Sequence, residues 1–317
     1  MRNARFGMWN GPRAVARFYP RFSTHRLRFP HLAFVAVLAV SGLMPVAVAV
    51  ADEQKAESSG DAPDREAQLA AMRKIAGGVK MTVGDEEPRE VEMIPEPLFR
   101  FNDSARDFSD GSIWGFGSKG RPQAILSLSL HPYNADRLGW LYEINSLTSL
   151  PIEARFAGPQ TWSTQKPGLE FKDLPGAPAG AAKEAGRNRQ FRELSARFAG
   201  YESFRKSPNA KLERYELRLI PRPIYRYSDP EQGLIDGALF LLSYGTNPEV
   251  VLVIELVRQG EDGSTWKYAL TRTSYAELHI ELDGKPIWTP PHLDSTAPGD
   301  PYWLFFLPVK NADLEPE

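Results

Sequence analysis

The sequence predicts an α+β fold built by internal tandem duplication. Each unit reads as one helix packed on an antiparallel β-sheet, and the two sheets meet either as one continuous curved sheet or as a pseudo-symmetric pair. Three observations carry this. First, EVEMIPEPLFRFNDSARDFSDGSIWGFGSKGRPQAILSLSL (90–130) aligns without a gap on ELRLIPRPIYRYSDPEQGLIDGALFLLSYGTNPEVVLVIEL (216–256), an offset of 126 residues. The match continues through Trp140/Trp266, Tyr142/Tyr268, Gly158/Gly284 and Trp162/Trp288, with 16 identities over residues 90–163. Second, the matched segments alternate with period two, as half-buried strands do. Third, a helix-spaced apolar face precedes each copy. Runs of strands with one helix per unit indicate antiparallel α+β rather than alternating βαβ.

Taken along the chain, residues 1–51 form a separate class. Seven arginines and no acidic residue precede the uncharged run LAFVAVLAVSGLMPVAVAVA (32–51), which ends in Ala49-Val50-Ala51 before Asp52. A basic region, an apolar region and a small-x-small site predict a cleaved signal peptide. The exported chain is then periplasmic or extracellular. The alternative is a single N-terminal membrane anchor, since an apolar run of this length can span a bilayer. Gly42, Pro45 and the cleavage pattern favour removal. Membrane contact is expected only if the segment stays uncleaved.

Cleavage leaves 31 Lys and Arg against 40 Asp and Glu, near −9. A net acidic chain repels a phosphate backbone, so nucleic acid is not an expected partner. The absence of cysteine excludes disulfides, thiol nucleophiles and thiolate metal sites.

The remaining chain divides into a polar linker (52–63), a first unit (64–173), a Pro/Ala/Gly-rich linker (174–186), a second unit (187–290) and a C-terminal segment (291–317). The first helix covers about 64–76, with Leu69, Met72 and Ala76 on one side and Gly77 as its stop. Phe191, Leu194 and Phe198 mark the second. In the strand at 124–130, Ala124, Leu126, Leu128 and Leu130 face one way and Ser127 and Ser129 the other. Its counterpart keeps Val250, Leu252, Ile254 and Leu256 in the same places and gains Val251 and Val253 on the other face. The second strand is therefore expected to be buried on both faces and the first on one. HIELDGKPIW (279–288) carries Asp-Gly between two strand-like runs, a hairpin signal. YWLFFLP (302–308) is too apolar to be left in water and is expected as a last strand or a plug on the sheet.

Several residues invite a chemical reading. GFGSKG (115–120) spells a dinucleotide-binding loop, but Arg121-Pro122 and a strand follow where a helix is required, so it reads as a turn. Asp110-Gly111 and Asp236-Gly237 read as turn residues before a strand. The alternative assigns calcium to the acidic residues Asp103, Asp107, Asp110, Asp229, Glu231 and Asp236, because calcium takes several hard oxygens and an exported protein meets it. Their spacing matches no EF-hand loop, and no other cofactor is indicated. Arg100 and Arg226 stand between aromatic residues at equivalent places. They either pair with nearby aspartates or bind a ligand. Trp140 and Trp266 are core residues or ligand-stacking platforms. His131, His279 and His292 show no zinc-ligand spacing, and no nucleophile elbow is present, so no catalytic residue is assigned.

The pattern IPRPIYRYSDPEQGLIDGALFLLSYGTNPEVVLVIEL, with the later W-K-Y and the DGKPIW hairpin, resembles a family of exported proteins from planctomycete-type bacteria. The resemblance covers roughly residues 65–290. It implies export and a shared fold and carries no catalytic residue over. The expected function is a non-catalytic binding or structural role in the periplasm or cell envelope, with an apolar or envelope ligand. A strongly curved sheet could hold such a ligand, an argument from fold analogy. The alternative is a carboxylate-based hydrolase of envelope or polysaccharide material.

Overall fold

The computed structural model describes residues 64–316, apart from 104–107, 134–136, 206–209, 261–262 and 311–313. The predicted signal peptide and the 52–63 linker lie outside the described residues. In the N-terminal half, α1 (Arg65–Gly77) is followed by β1 (Lys80–Val83), β2 (Arg89–Val91), β3 (Phe99–Asp103), β4 (Phe108–Phe116), β5 (Ala124–Pro132), β6 (Leu138–Ser146), β7 (Ile152–Arg155) and β8 (Thr161–Thr164). After β9 (Lys172–Asp173), the C-terminal half begins with α2 (Glu184–Ser195), which starts inside the stretch read as linker. It continues through β10 (Phe198–Phe204), β11 (Glu213–Leu219), β12 (Tyr225–Asp229), β13 (Leu234–Tyr244), β14 (Asn247–Gln259), β15 (Gly263–Arg272), β16 (Glu277–Leu282) and β17 (Lys285–Trp288). β18 (Tyr302–Pro308) ends the strand series. The fold is mostly antiparallel sheet with two α-helices among the described residues. None of the described helices is long and apolar enough to cross a membrane.

One path of strands runs β8-β7-β1-β2, passes through the single bridge Met93–Phe116, and continues β4-β5-β6-β18, with β3 beside β4. The other runs β17-β16-β10-β11-β13-β14-β15-β9, with β12 beside β13, and curls into a half-barrel. No strand pair joins the two paths among the described residues, so they are not one continuous sheet. They meet by their faces instead.

Three cores result. The first packs Met72, Ile75 and Ala76 of α1 on Leu126, Leu128, Trp140 and Tyr142. The second packs Phe191 and Leu194 of α2 on Phe240, Leu252, Ile254 and Trp266. Phe198, expected on the helix, is the first residue of β10 and joins the same core. The third lies between the two sheets and joins Phe101, Ile113 and Ile125 to Leu239, Leu241, Val251 and Val253. Burying each such side chain contributes about 1.5–3 kcal/mol.

This third core corrects one expectation. Ser127 and Ser129 do not face water; both are buried, because the second sheet covers that face of β5. Period two alone shows which residues share a face, but not what covers it.

Candidate functional site

The arginines and aspartates singled out by sequence lie at the junction of each helix with its sheet. β3 holds Arg100 on the face away from the Phe99 and Phe101 rings, which turn to the third core. Arg100 donates from Nε to Asp110 Oδ1 at 2.8 Å, from Nη2 to Asp110 Oδ2 at 2.8 Å, and from Nη1 to Glu66 at 3.0 Å. Arg65 adds a contact to Asp110 at 3.2 Å, and the Asp110 carboxylate is fully buried. The bidentate bond to Asp110 raises the Arg100 pKa above its ordinary value, against the opposing effect of burial. In the other half, Arg226 Nη2 donates to both oxygens of Asp236 at 2.6 Å. Arg187 of α2 donates to the same carboxylate at 2.7 Å, and Asn188 accepts from Arg226. Each aspartate is thus held by two guanidinium groups, one from the sheet and one from the helix.

The turn reading of Asp110-Gly111 and Asp236-Gly237 is overturned. Both pairs lie inside strands, β4 and β13, and neither glycine has a positive φ. The glycines are there because an aromatic ring lies across them. A Cβ on Gly111 would meet the Phe101 ring at 2.6 Å, and one on Gly237 would strike the Tyr227 ring. Phe101↔Gly111 and Tyr227↔Gly237 are cross-strand partners, so each ring packs over the backbone of the residue opposite.

GFGSKG begins at the end of β4 and continues as the turn into β5, with Gly117 and Gly120 at positive φ. Its tip docks on the end of β12. Lys119 Nζ pairs with Glu231 at 2.7 Å, and a Cβ on Gly120 would meet Asp229 at 3.3 Å. Of the other acidic candidates, Asp107 lies outside the described residues and Asp103 ends β3. Asp229 ends β12, with Oδ1 buried and without a described partner. Among the described residues no three His, Asp or Glu side chains gather as a metal cluster would require.

Trp140 and Trp266 are both buried under their helices. Trp140 donates Nε1–H to the Leu314 carbonyl at 2.7 Å, whereas Trp266 Nε1 has no partner among the described residues. His131 Nε2 lies 2.8 Å from Ser129 Oγ on one face of β5. His279 Nε2 lies 2.6 Å from Glu277 and stacks on Tyr201 at 4.4 Å. His292 is 3.8 Å from Asp294.

Sequence reasoning missed the polar groups between the two sheets. Arg121 donates to Glu255 at 2.5 Å and to the Leu147 carbonyl at 2.8 Å, and Tyr227 donates its hydroxyl to the same Glu255 oxygen at 2.9 Å. Burial above all, and then the Glu255 charge, pushes the Tyr227 phenol well above its usual value. Nearby in the same layer, Tyr302 of β18 donates to Glu143 at 2.6 Å, and its phenol is raised by burial, then by Glu143. Asn145 and Thr271 meet at 3.5 Å. The available signal was Glu255 itself, a charge inside the apolar run VVLVIEL, which burial on both faces obliges to find a partner. A shallow depression of about 230 Å³ lies between α1 and the C-terminal residues, lined by Lys74, Ile75, Leu314 and Pro316. No family model, no curated protein and no solved structure matches the chain.

Proposed function

We propose that this is an exported, non-catalytic binding or structural protein of the periplasm or cell envelope, built by fusing two copies of one helix-and-sheet unit. The observation that carries the reading is the recurrence in both halves of one buried carboxylate held by guanidinium groups, Arg100–Asp110 and Arg226–Asp236. In each, the arginine is spent on holding a helix to its sheet. The duplication is supported by the two strand paths, which run in the same order when β8, β7, β1, β2, β4, β5, β6 and β18 are set against β17, β16, β10, β11, β13, β14, β15 and β9. β3 and β12 occupy the same flanking place, 126 residues apart. The helices start 119 residues apart, at Arg65 and Glu184, and the β10–β11 hairpin, longer in both its strands and its loop, absorbs the difference. Asn145 and Thr271, also 126 apart, touch where a pseudo-twofold axis would pass.

The hydrolase reading draws on what the two halves do not share. Glu143 and Glu249 both act on Tyr302, and at the offset of 126 their counterparts are Ala269 and Gln123. Glu249, however, is only 1% exposed. An acid closed off from substrate fits a packing role better than a catalytic one.

Two measurements test the proposal. Expressed from its own start in a Gram-negative host, the chain should appear in the periplasmic fraction with a mass beginning at Asp52. An uncleaved chain in the cytosol contradicts export. The mature chain should release no soluble fragments from peptidoglycan or polysaccharide suspensions. Release of reducing sugar, abolished by Glu143→Gln, favours the hydrolase.

A further inference from the structure

The last strand of each half belongs to the sheet of the other. β9 follows β8 in the chain, yet it bonds to β15, through Lys267↔Asp173 and Tyr268↔Lys172. β18 follows β17, yet it bonds to β6 over seven residue pairs, from Tyr302↔Asn145 to Pro308↔Gly139. The linker before β18 records the crossing. Leu278 N–H donates to Pro290 O and Leu293 N–H to Tyr275 O, both contacts within the C-terminal half. Further on, Ser163 N–H donates to Pro298 O and Trp162 Nε1 to Asp300 O, contacts with the N-terminal half. Once across, Trp303 and Leu307 enter the first core. Phe305 stacks on Tyr142 at 4.6 Å and on Trp303 at 4.1 Å, and Phe156 meets Phe305 edge-on at 5.1 Å.

We propose that the β6 edge is a strand-docking site that accepts β18 from a second copy of this chain, with residues 289–301 as the hinge. The ladder and the aromatic contacts are the same whichever chain supplies the strand. The chain's own strand is favoured by its effective concentration, of order millimolar for a short tether, and that advantage vanishes when the tether cannot span the sites. Because each copy would lend its strand to the other, the exchange closes as a twofold dimer and not as a fibre. The inference goes beyond the duplication reading, which survives if the exchange fails.

The test uses the mature chain, which has no cysteine of its own. Leu141→Cys and Phe306→Cys face each other in the β6–β18 register. With the hinge intact, oxidation of dilute protein should give an intrachain crosslink and a monomer by light scattering. Deleting residues 294–297 should give a folded dimer whose crosslink joins two chains on a denaturing gel. A folded monomer with an intrachain crosslink overturns the proposal, and so does a shortened chain that forms no dimer at any concentration. A second arm keeps the hinge intact: two differently tagged chains are refolded together at about 100 µM, against an effective concentration of order millimolar. Interchain crosslinks should reach at least a few per cent and rise with concentration. Their complete absence also overturns it.

Discussion

Gly111 and Gly237 each lie beneath the ring of their cross-strand partner, and that contact explains why an aspartate-glycine pair can stand in mid-strand. Gly111→Ala puts a methyl group against the Phe101 ring and should cost about 1–3 kcal/mol, the usual range for overpacking. Urea unfolding measures this. Adding Phe101→Leu should recover part of the loss, because the smaller side chain clears the space. If the double variant loses the full sum, the ring is not the cause. The aspartates beside these glycines give a sharper case. Asp110→Ala leaves Arg100 and Arg65 facing each other with only the exposed Glu66 carboxylate still on Arg100, and should cost about 3 kcal/mol, the lower end for breaking a buried pair, since Arg100 is partly exposed and keeps that partner. Asp236→Ala should behave alike. In a double-mutant cycle with Arg100→Ala, the two losses should fall well short of adding. Additive losses contradict the pairing.

Among the elements, α2 begins without a side-chain cap. Lys183 occupies its N-cap position and makes no side-chain cap bond, and a lysine there opposes the positive end of the helix dipole. Lys183→Asp supplies an acceptor and the favourable charge, beside Arg187 in the first turn. It should raise stability by about 1 kcal/mol, seen as a higher melting temperature; an unchanged or lower value would show that the first turn is already satisfied. The β16–β17 hairpin has no such fault. Asp283 and Gly284 both have positive φ, at 52° and 73°, the conformation that a two-residue type I′ turn requires. β18 shows how an apolar edge strand is kept from pairing further. Thr296 Oγ1 bonds both the N–H and the carbonyl of Leu304 on the free edge, and Pro308 offers no N–H at its end.

For the molecule as a whole, the third core and the crossed strands couple the halves. Denaturant should unfold them in one transition, followed alike by fluorescence and far-UV circular dichroism; two separated transitions would show that each half completes its own sheet. The buried phenols set the alkaline limit. Tyr142, Tyr227 and Tyr302 are all raised above the ordinary value of 10.0, in each case first by burial. A folded pKa above the unfolded one means that the stability involved is complete below pH 10. It is lost as pH rises past that value, because the unfolded chain alone releases the protons. Absorbance at 295 nm should therefore rise gradually as exposed tyrosines ionise and then jump as the ellipticity collapses. Titration of every tyrosine near pH 10 with ellipticity retained contradicts the burial.

Particular residues show how far the sequence reached. Apolar residues at period two placed Ala124, Leu126, Leu128 and Leu130 on one face, and all four lie in the first core. Asp283-Gly284 marked its hairpin, and YWLFFLP its strand, because these depend on local geometry and on the cost of leaving apolar groups in water. The same reading placed Asp110-Gly111 in a turn, left Ser129 in solvent and passed over Arg121 and Glu255. Those outcomes depend on groups far away in the chain: a ring from the facing strand, a second sheet laid across the first, a carboxylate more than a hundred residues distant. Period and propensity act over a few residues and fix which side chains share a face. Only the tertiary structure decides what that face meets, because burial and charge pairing are set by contacts that close after the strands have formed.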